Sequence, residues 1–315
     1  MENRVGIIGA GIAGAWLANQ LNQSGHDVVV FEKSRGLGGR MATRRLDDIA
    51  FDHGAQFFTA RTDAFKTVVK AHRDVVVDWQ PKVVTLGDVT RPFKRDWFEP
   101  HYLCHPSMGE LCRRLLKNIS VESQFEVNRL EKIDSGWQAY NQDGKATKLS
   151  WVISTAPAEQ TQRLLPAAPL DDVAYSPCFA LMGYLESPPN FGAAVVKGRP
   201  VDWIAVSSTR PERKEKPGFV AHATPEWSLT NFEQDREVLT EQLTAAVSGL
   251  GLQLGSIAAL HRWRYARVNV THSESFWIDR TQQVAACGDW GVGPRVEDAF
   301  TSADQLFAEL AGLGI

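Results

Sequence analysis

Apolar and polar positions fall in blocks whose period changes along the chain. Val5-Gly6-Ile7-Ile8 is a short, mostly β-branched run, as a buried parallel strand should be. Helical spacing over residues 13–24 predicts a helix, stopped at Gly25. Val28-Val29-Val30-Phe31 predicts a second strand, ending on Glu32. A helix is expected over residues 63–72. Residues 75–105 alternate and carry Trp79, Trp97, Phe98 and Tyr102. Another helix is expected from Ser107 through Leu111, Leu115 and Leu116. Strands are expected at 121–127 and 136–140, with a turn at Asp143-Gly144, and at 149–154, ending at Thr155-Ala156-Pro157.

From 171 to about 267 the texture changes. Strand-like runs at 179–185, 201–206, 219–223 and 257–265, with one helix over 235–248, predict an antiparallel sheet under a covering helix. The mixed-charge patch from Arg210 to Lys216, before Pro217-Gly218, reads as a solvated loop without chemistry. The first texture then returns. Val284-Ala285-Ala286-Cys287 is a buried strand, Gly288-Asp289-Trp290 a turn, and 297–313 a helix. The fold class is therefore α/β. A Rossmann-like nucleotide domain (1–70, 107–165 and 280–315) is interrupted by a mainly antiparallel α+β substrate domain (71–106 and 166–279).

The glycines give the first domain its chemistry. Gly9 permits a tight turn out of the strand, Gly11 lets a pyrophosphate approach the backbone, and Gly14 lets the helix pack closely. The helix start favours an anion. Glu32, 18 residues after Gly14, can accept from adenosine ribose hydroxyls and would repel a 2′-phosphate. Strand, turn, helix, strand and acid in that order point to a dinucleotide.

Length favours two domains: the chain has 315 residues. The 34 basic against 37 acidic side chains leave a net charge of −3, which gives no reason to expect nucleic acid or an anionic membrane as partner. No apolar run approaches the roughly twenty residues of a membrane span, and no signal peptide is expected. Cys104, Cys112, Cys178 and Cys287 form no CxxC pair and no zinc spacing, which suits a reduced, cytoplasmic protein. His101, Cys104 and His105 lack a second ligand pair, so no metal is expected.

Four segments together resemble the FAD-dependent amine oxidase superfamily: Gly9 to Gly14 with Glu32, Gly38-Gly39-Arg40-Met41, Asp52-His53-Gly54-Ala55-Gln56, and Cys287-Gly288-Asp289-Trp290. Narrower likeness to bacterial renalase-like flavoproteins lies in Lys33-Ser34-Arg35-Gly36, Gly54 to Arg61, and His222-Ala223-Thr224 with Trp227-Ser228. It continues in His261-Arg262-Trp263 with Tyr265-Ala266-Arg267, and in Arg295-Val296-Glu297. The resemblance implies a glutathione-reductase-type FAD domain and non-covalent FAD. It implies that Glu32 holds the ribose, Arg40 the pyrophosphate, the Val127 backbone the adenine and Asp289 a ribityl or pyrophosphate-side hydroxyl. Gly54, Ala55 and Gln56 would lie along the isoalloxazine. Val296 and Glu297 would open a helix whose positive end faces the flavin. Ala13, Lys33, Gly39, Met41, Phe57, Thr155, Gly288 and Arg295 complete the expected cofactor contacts. Asp298 stands where the family usually has a small residue.

On the substrate side, Trp227, His261, Tyr265, Arg267 and Trp290 are the expected pocket residues. Hydride transfer from a dihydropyridine needs a flat apolar slot and a few orienting polar groups. The activity implied is hydride uptake from a 2- or 6-dihydro-NAD(P) isomer, with O2 reduced to H2O2. An amine oxidase or desaturase of the same fold, or a non-catalytic FAD-binding protein, are the alternatives. The expected partners are a small-molecule substrate and O2, in a monomer or weak homodimer.

Overall fold

The structure, a computed structural model, describes residues 4–46, 49–88, 93–95 (backbone only), 99–211 and 217–315. The expected residues Trp97 and Phe98, and residues 212–216 of the charged patch, lie outside the described residues.

Two sheets carry the molecule. The first has six strands in the order Phe276–Asp279, Val284–Cys287, Trp151–Ser154, Arg4–Ile8 (β1), Asp27–Glu32 (β2) and Ser120–Ser123. All neighbours are parallel except the first pair. The first helix, α1 (Ile12–Gln23), follows β1 and buries Ile12, Leu17 and Leu21. It also packs on the Val296–Gly312 helix, where Trp16 donates to Asp304 Oδ1 at 3.0 Å and lies tilted against Phe300, ring centres 4.8 Å apart. Chain segments nearly 300 positions apart thus close one α/β layer. A three-stranded antiparallel meander, Val127–Ile133, Gly136–Asn141 and Ala146–Leu149, sits beside it.

The second sheet has seven strands in the order Leu254–Val270, Ala174–Leu185, Gly218–Ala223, Val201–Val206, Ala193–Lys197, Val83–Gly87 and Phe93–Arg95. It is antiparallel except where Ala193–Lys197 meets Val83–Gly87. The Arg236–Ser248 helix covers it, burying Leu239, Leu243 and Val247 against Phe179, Leu181 and Phe219. Asp235 caps that helix, accepting from Glu237 N at 2.7 Å.

The structure departs from the sequence reading where backbone geometry or long-range pairing intervenes. The single strand expected over 121–127 is two, Ser120–Ser123 and Val127–Ile133. Gln124 between them has φ 57°, which turns the chain out of the first sheet. Phe276–Asp279 joins the first sheet, so the strands of that layer begin before residue 280. The Thr43–Leu46/Ile49–Asp52 hairpin and the Pro225–Thr230 helix carried too little periodicity to be read.

The turn after β1 fixes the approach of α1. A Cβ on Gly14 would sit 2.0 Å from Gly9 O, whereas one on Gly11 would meet nothing within 4 Å. Gly14→Ala should therefore destabilise the fold by about 1–3 kcal/mol or more through overpacking. Gly11→Ala should leave the melting temperature near wild type and weaken dinucleotide binding alone. Thermal melts and cofactor titrations of the two variants check this, and equal melting losses would contradict it.

Candidate functional site

The two glycine turns form one cradle. Gly38 N donates to Ala10 O at 2.9 Å, and a Cβ on Gly39 (φ +53°) would lie 3.3 Å from Gly11 Cα. Glu32, 6% exposed, accepts from Ala10 N at 2.9 Å and Ser34 N at 2.8 Å, one bond on each oxygen. Each oxygen keeps a lone pair, so ribose hydroxyls fit as additional donors. Thr155 Oγ1 donates to Ile8 O at 3.0 Å and holds the turn from behind. Ala13, Met41 and Val127 are buried walls, and Lys33 points outward. The open Gly11 backbone, the helix start and the acid match the demands of a dinucleotide.

Arg40 and Asp289 meet in a two-point ion pair at 2.5 and 2.7 Å. Tyr175 Oη donates to the same carboxylate at 3.2 Å, and Arg40 also donates to Tyr265 O at 3.3 Å. Burial works against the guanidinium charge, but Asp289 outweighs it and Arg40 is held above its ordinary value. The sequence assigned these residues separate ligand contacts; the structure orients each through the other.

Other expected cofactor side chains are turned to structural work. Glu297 is 2% exposed and accepts from Arg61 N at 2.8 Å, Thr62 N at 2.6 Å and Thr62 Oγ1 at 2.8 Å. Arg295 N donates to Asp298 Oδ2 at 2.9 Å and its guanidinium binds the same acid, so Asp298 acts as a helix cap. The helix start at Val296 thus offers a ligand only backbone groups. Gly288 N is held by Ser302 Oγ at 2.9 Å. Phe57 packs among Trp79, His101 and Trp203.

Gln56 belongs to a buried charged knot. Arg210 Nη1 donates to Gln56 O at 3.0 Å and Nη2 to Gln56 Oε1 at 2.7 Å. The same guanidinium lies 2.8 Å from Asp52 Oδ2, with side chains 3% and 0% exposed. Gln56 Nε2 donates to Asp52 O, and Thr43 Oγ1 to Asp52 Oδ1 at 2.5 Å. This corrects the solvated reading of Arg210: a carboxylate buried at Asp52 draws the cation inward.

A cleft of about 190 Å³ opens beside this knot. Arg40, His53 and Gly54 line one side, and Gly54 has no room for a Cβ, which would lie 2.0 Å from Arg40 O. Cys178, Asp202, His222, Trp263 and Arg267 line the second-sheet side. His53 stacks on Trp263 at 5.1 Å, and Trp263 Nε1 donates to His53 O at 3.0 Å. His222 Nε2 donates to His53 O at 3.1 Å. Burial pushes both imidazoles down to about 4, helped at His53 by His261 and at His222 by Arg210. Both are neutral at pH 7.

Of the five expected pocket residues, Arg267 lines this cleft. Trp290 is fully buried, in the core cluster that holds Phe31 and Val152, and does not line the cleft. Trp227 packs on Phe179 at 5.8 Å, because its short helix presents Pro225 to the cleft instead. His261 touches the cleft wall, 4.7 Å from His53 and 4.4 Å from Trp263. Tyr265 lines a neighbouring cavity with Tyr175, its phenol pushed up to about 12 by burial and Glu159. His53, Cys178, Asp202, His222 and Trp263 were not singled out. Three of them, His53, His222 and Trp263, stand inside the motif segments, which was the available signal.

Residues 7–71 match the NAD(P)-binding Rossmann-like domain family. A 4,4'-diapophytoene desaturase (4,4'-diaponeurosporene-forming) of Staphylococcus aureus strain Newman is 35% identical over 68 residues, 22% of this chain and 13% of the relative's length. Wild-type Putrescine Oxidase bound to putrescine superposes with a TM-score of 0.76 at 11% identity, covering 99% of both chains. A CLA-producing fatty acid isomerase from P. acnes gives 0.74 at 11%, covering 98% of each. At such identities the likeness establishes the fold. The chain therefore carries a Rossmann-like dinucleotide-binding unit within the fold that these structures share.

Two outcomes follow. Arg210→Met should destabilise the protein by about 3–5 kcal/mol, because it strands a buried carboxylate. Arg73→Met, which breaks an exposed pair with Asp78, should change stability by about 1 kcal/mol or less. Urea denaturation compares them. For pH, His53 and His222 have folded values of about 4, below the ordinary 6.5. The unfolded chain binds more protons between those values, so their contribution, complete above 6.5, declines as pH falls toward 4. Asp202, raised to about 6, works in the opposite sense below that pH. His222→Gln should flatten the loss of melting temperature between about pH 7 and 5; an unchanged slope would contradict this.

Proposed function

We propose that the protein is an FAD-dependent oxidoreductase. It would accept hydride from a small planar donor, a 2- or 6-dihydro-NAD(P) isomer, and reduce O2 to H2O2. The observation that carries this reading is the cleft beside Gly54 and Arg40. Its wall is the stacked Trp263–His53 pair, and its imidazoles are neutral. Such a wall orients a flat ring and supplies no strong acid or base, which suits a hydride donor that need not be deprotonated.

The chain's own residues divide the work. Gly9 to Gly14, Gly39 and Glu32 would hold the dinucleotide, with Arg40 oriented by Asp289 beside it. When bound, FAD supplies a two-electron acceptor that O2 can reoxidise. Arg210 fixes Gln56, and through it the loop carrying Gly54. Trp263 and His53 form the flat face and exclude water from it. The assignment of residues 1–70, 107–165 and 280–315 to the cofactor unit, and of the rest to the substrate unit, belongs to this reading, as does a cytoplasmic monomer or weak homodimer.

A second reading, amine oxidation, is favoured by the cleft carboxylate of Asp202, which would attract an ammonium. The fold neighbour bound to putrescine supports it to the same extent. Anaerobic mixing of the FAD-loaded protein with 2- and 6-dihydro-NAD(P) isomers, and separately with amines, decides between them. The dihydronicotinamides are expected to bleach the flavin band rapidly. Bleaching by amines alone would replace the first reading with the second, and a protein that takes up no FAD would end both.

A further inference from the structure

Asp202 stands out within the cleft. It lies on the Val201–Val206 strand where the register to its neighbour shifts: Val201 pairs with Ala223 and Trp203 with His222. Asp202 is the extra residue of that irregularity, and such a bulge re-aims one side chain out of the ladder. Here it aims at the cleft, which Asp202 lines together with Cys178, Arg267 and Trp263.

Its carboxylate has no side-chain partner among the described residues. The groups acting on it come from every neighbouring element. Burial and Glu226 on the Pro225–Thr230 helix raise it to about 6. Its own backbone N–H, Arg267 on the Leu254–Val270 strand and Lys197 on the Ala193–Lys197 strand lower it. Cys178 beside it is pushed up to about 12 and stays a thiol. His222 and His53 are neutral. At pH 7 Asp202 is thus ionised and half-buried, and beyond its own backbone N–H it keeps acceptor capacity for a donor from outside the chain.

We propose that Asp202 anchors the substrate by accepting a hydrogen bond from the N–H of a primary carboxamide, while Arg267 donates to that carboxamide's oxygen. The inference rests on the reading of the cleft as the hydride-donor site. One wall then presents an acceptor and a donor, the complement of an amide, beside the flat face of Trp263. A carboxylate in place of the amide would meet Asp202 with like charge and lose the hydrogen bond.

The test titrates nicotinamide, nicotinate and benzylamine into the FAD-loaded protein, following the flavin absorbance, for wild type and Asp202→Asn. Melting temperature and FAD content establish that the variant is intact. Wild type is expected to prefer nicotinamide over nicotinate by tenfold or more at pH 7.5, with the preference fading as pH falls through about 6. Asp202→Asn keeps an acceptor oxygen but loses the charge, so it should bind nicotinamide about tenfold more weakly, and its preference should not vary with pH. Equal binding of nicotinamide and nicotinate by wild type, or unchanged nicotinamide affinity in the variant, would overturn the inference. Loss of benzylamine binding alone would overturn the carboxamide assignment. Failure of dihydronicotinamides to reduce the flavin would remove the proposed activity without touching this comparison.

Discussion

The buried contact between Arg210 and Asp52 is the constraint on which the site depends. Asp52 ends the Ile49–Asp52 strand, directly ahead of the loop that carries His53, Gly54 and Gln56. Arg210 follows the Val201–Val206 strand of the second sheet. Their ion pair, with both side chains almost fully buried, ties that loop to the sheet. Charges so deep are stable only when paired and fully hydrogen-bonded. Two additional bonds from Arg210 to Gln56 engage the rest of the guanidinium, and they set the Gln56 amide with its oxygen toward it. The cleft inherits its shape from this, because His53 and Gly54 occupy the stretch between the two anchored residues.

The consequence is a site whose imidazoles are neutral beside a charged knot. Arg40 is matched by Asp289, and Arg210 by Asp52. The desolvated imidazoles of His53 and His222 carry no charge near neutrality. The cleft therefore presents ring faces and a single anion, with Arg267 at its exposed edge. Binding of a flat, weakly charged molecule is what such a surface favours.

The cradle from Gly9 to Glu32 was legible in the sequence because it is local. Strand, turn, helix and acid follow one another, and each glycine answers a steric demand inside that segment. The second sheet was legible as antiparallel texture, yet its partners were not, since pairing such as Val83–Gly87 with Ala193–Lys197 joins distant segments. The pocket was the least legible part. Tryptophan in a sequence signals burial without saying in which layer, so of the two expected at the cleft, Trp290 lies in the core and Trp227 packs half-buried against it. Arg210 looked like part of a charged surface loop because its partner Gln56 is 154 positions away. Asp202 gave no periodic signal, as a bulge breaks the very alternation by which a strand is read.

The first sheet has a topological consequence. Its centre is made from Arg4–Ile8, Trp151–Ser154 and Val284–Cys287, and the helix at Val296–Gly312 closes it against α1. The second sheet, by contrast, uses only residues between 83 and 270. During synthesis the substrate-side layer can complete its hydrogen bonding while the nucleotide layer still lacks two strands and a helix. The cradle assembled first in sequence is thus finished last in space. In chain order, the last pieces of the nucleotide layer come after every strand of the second sheet.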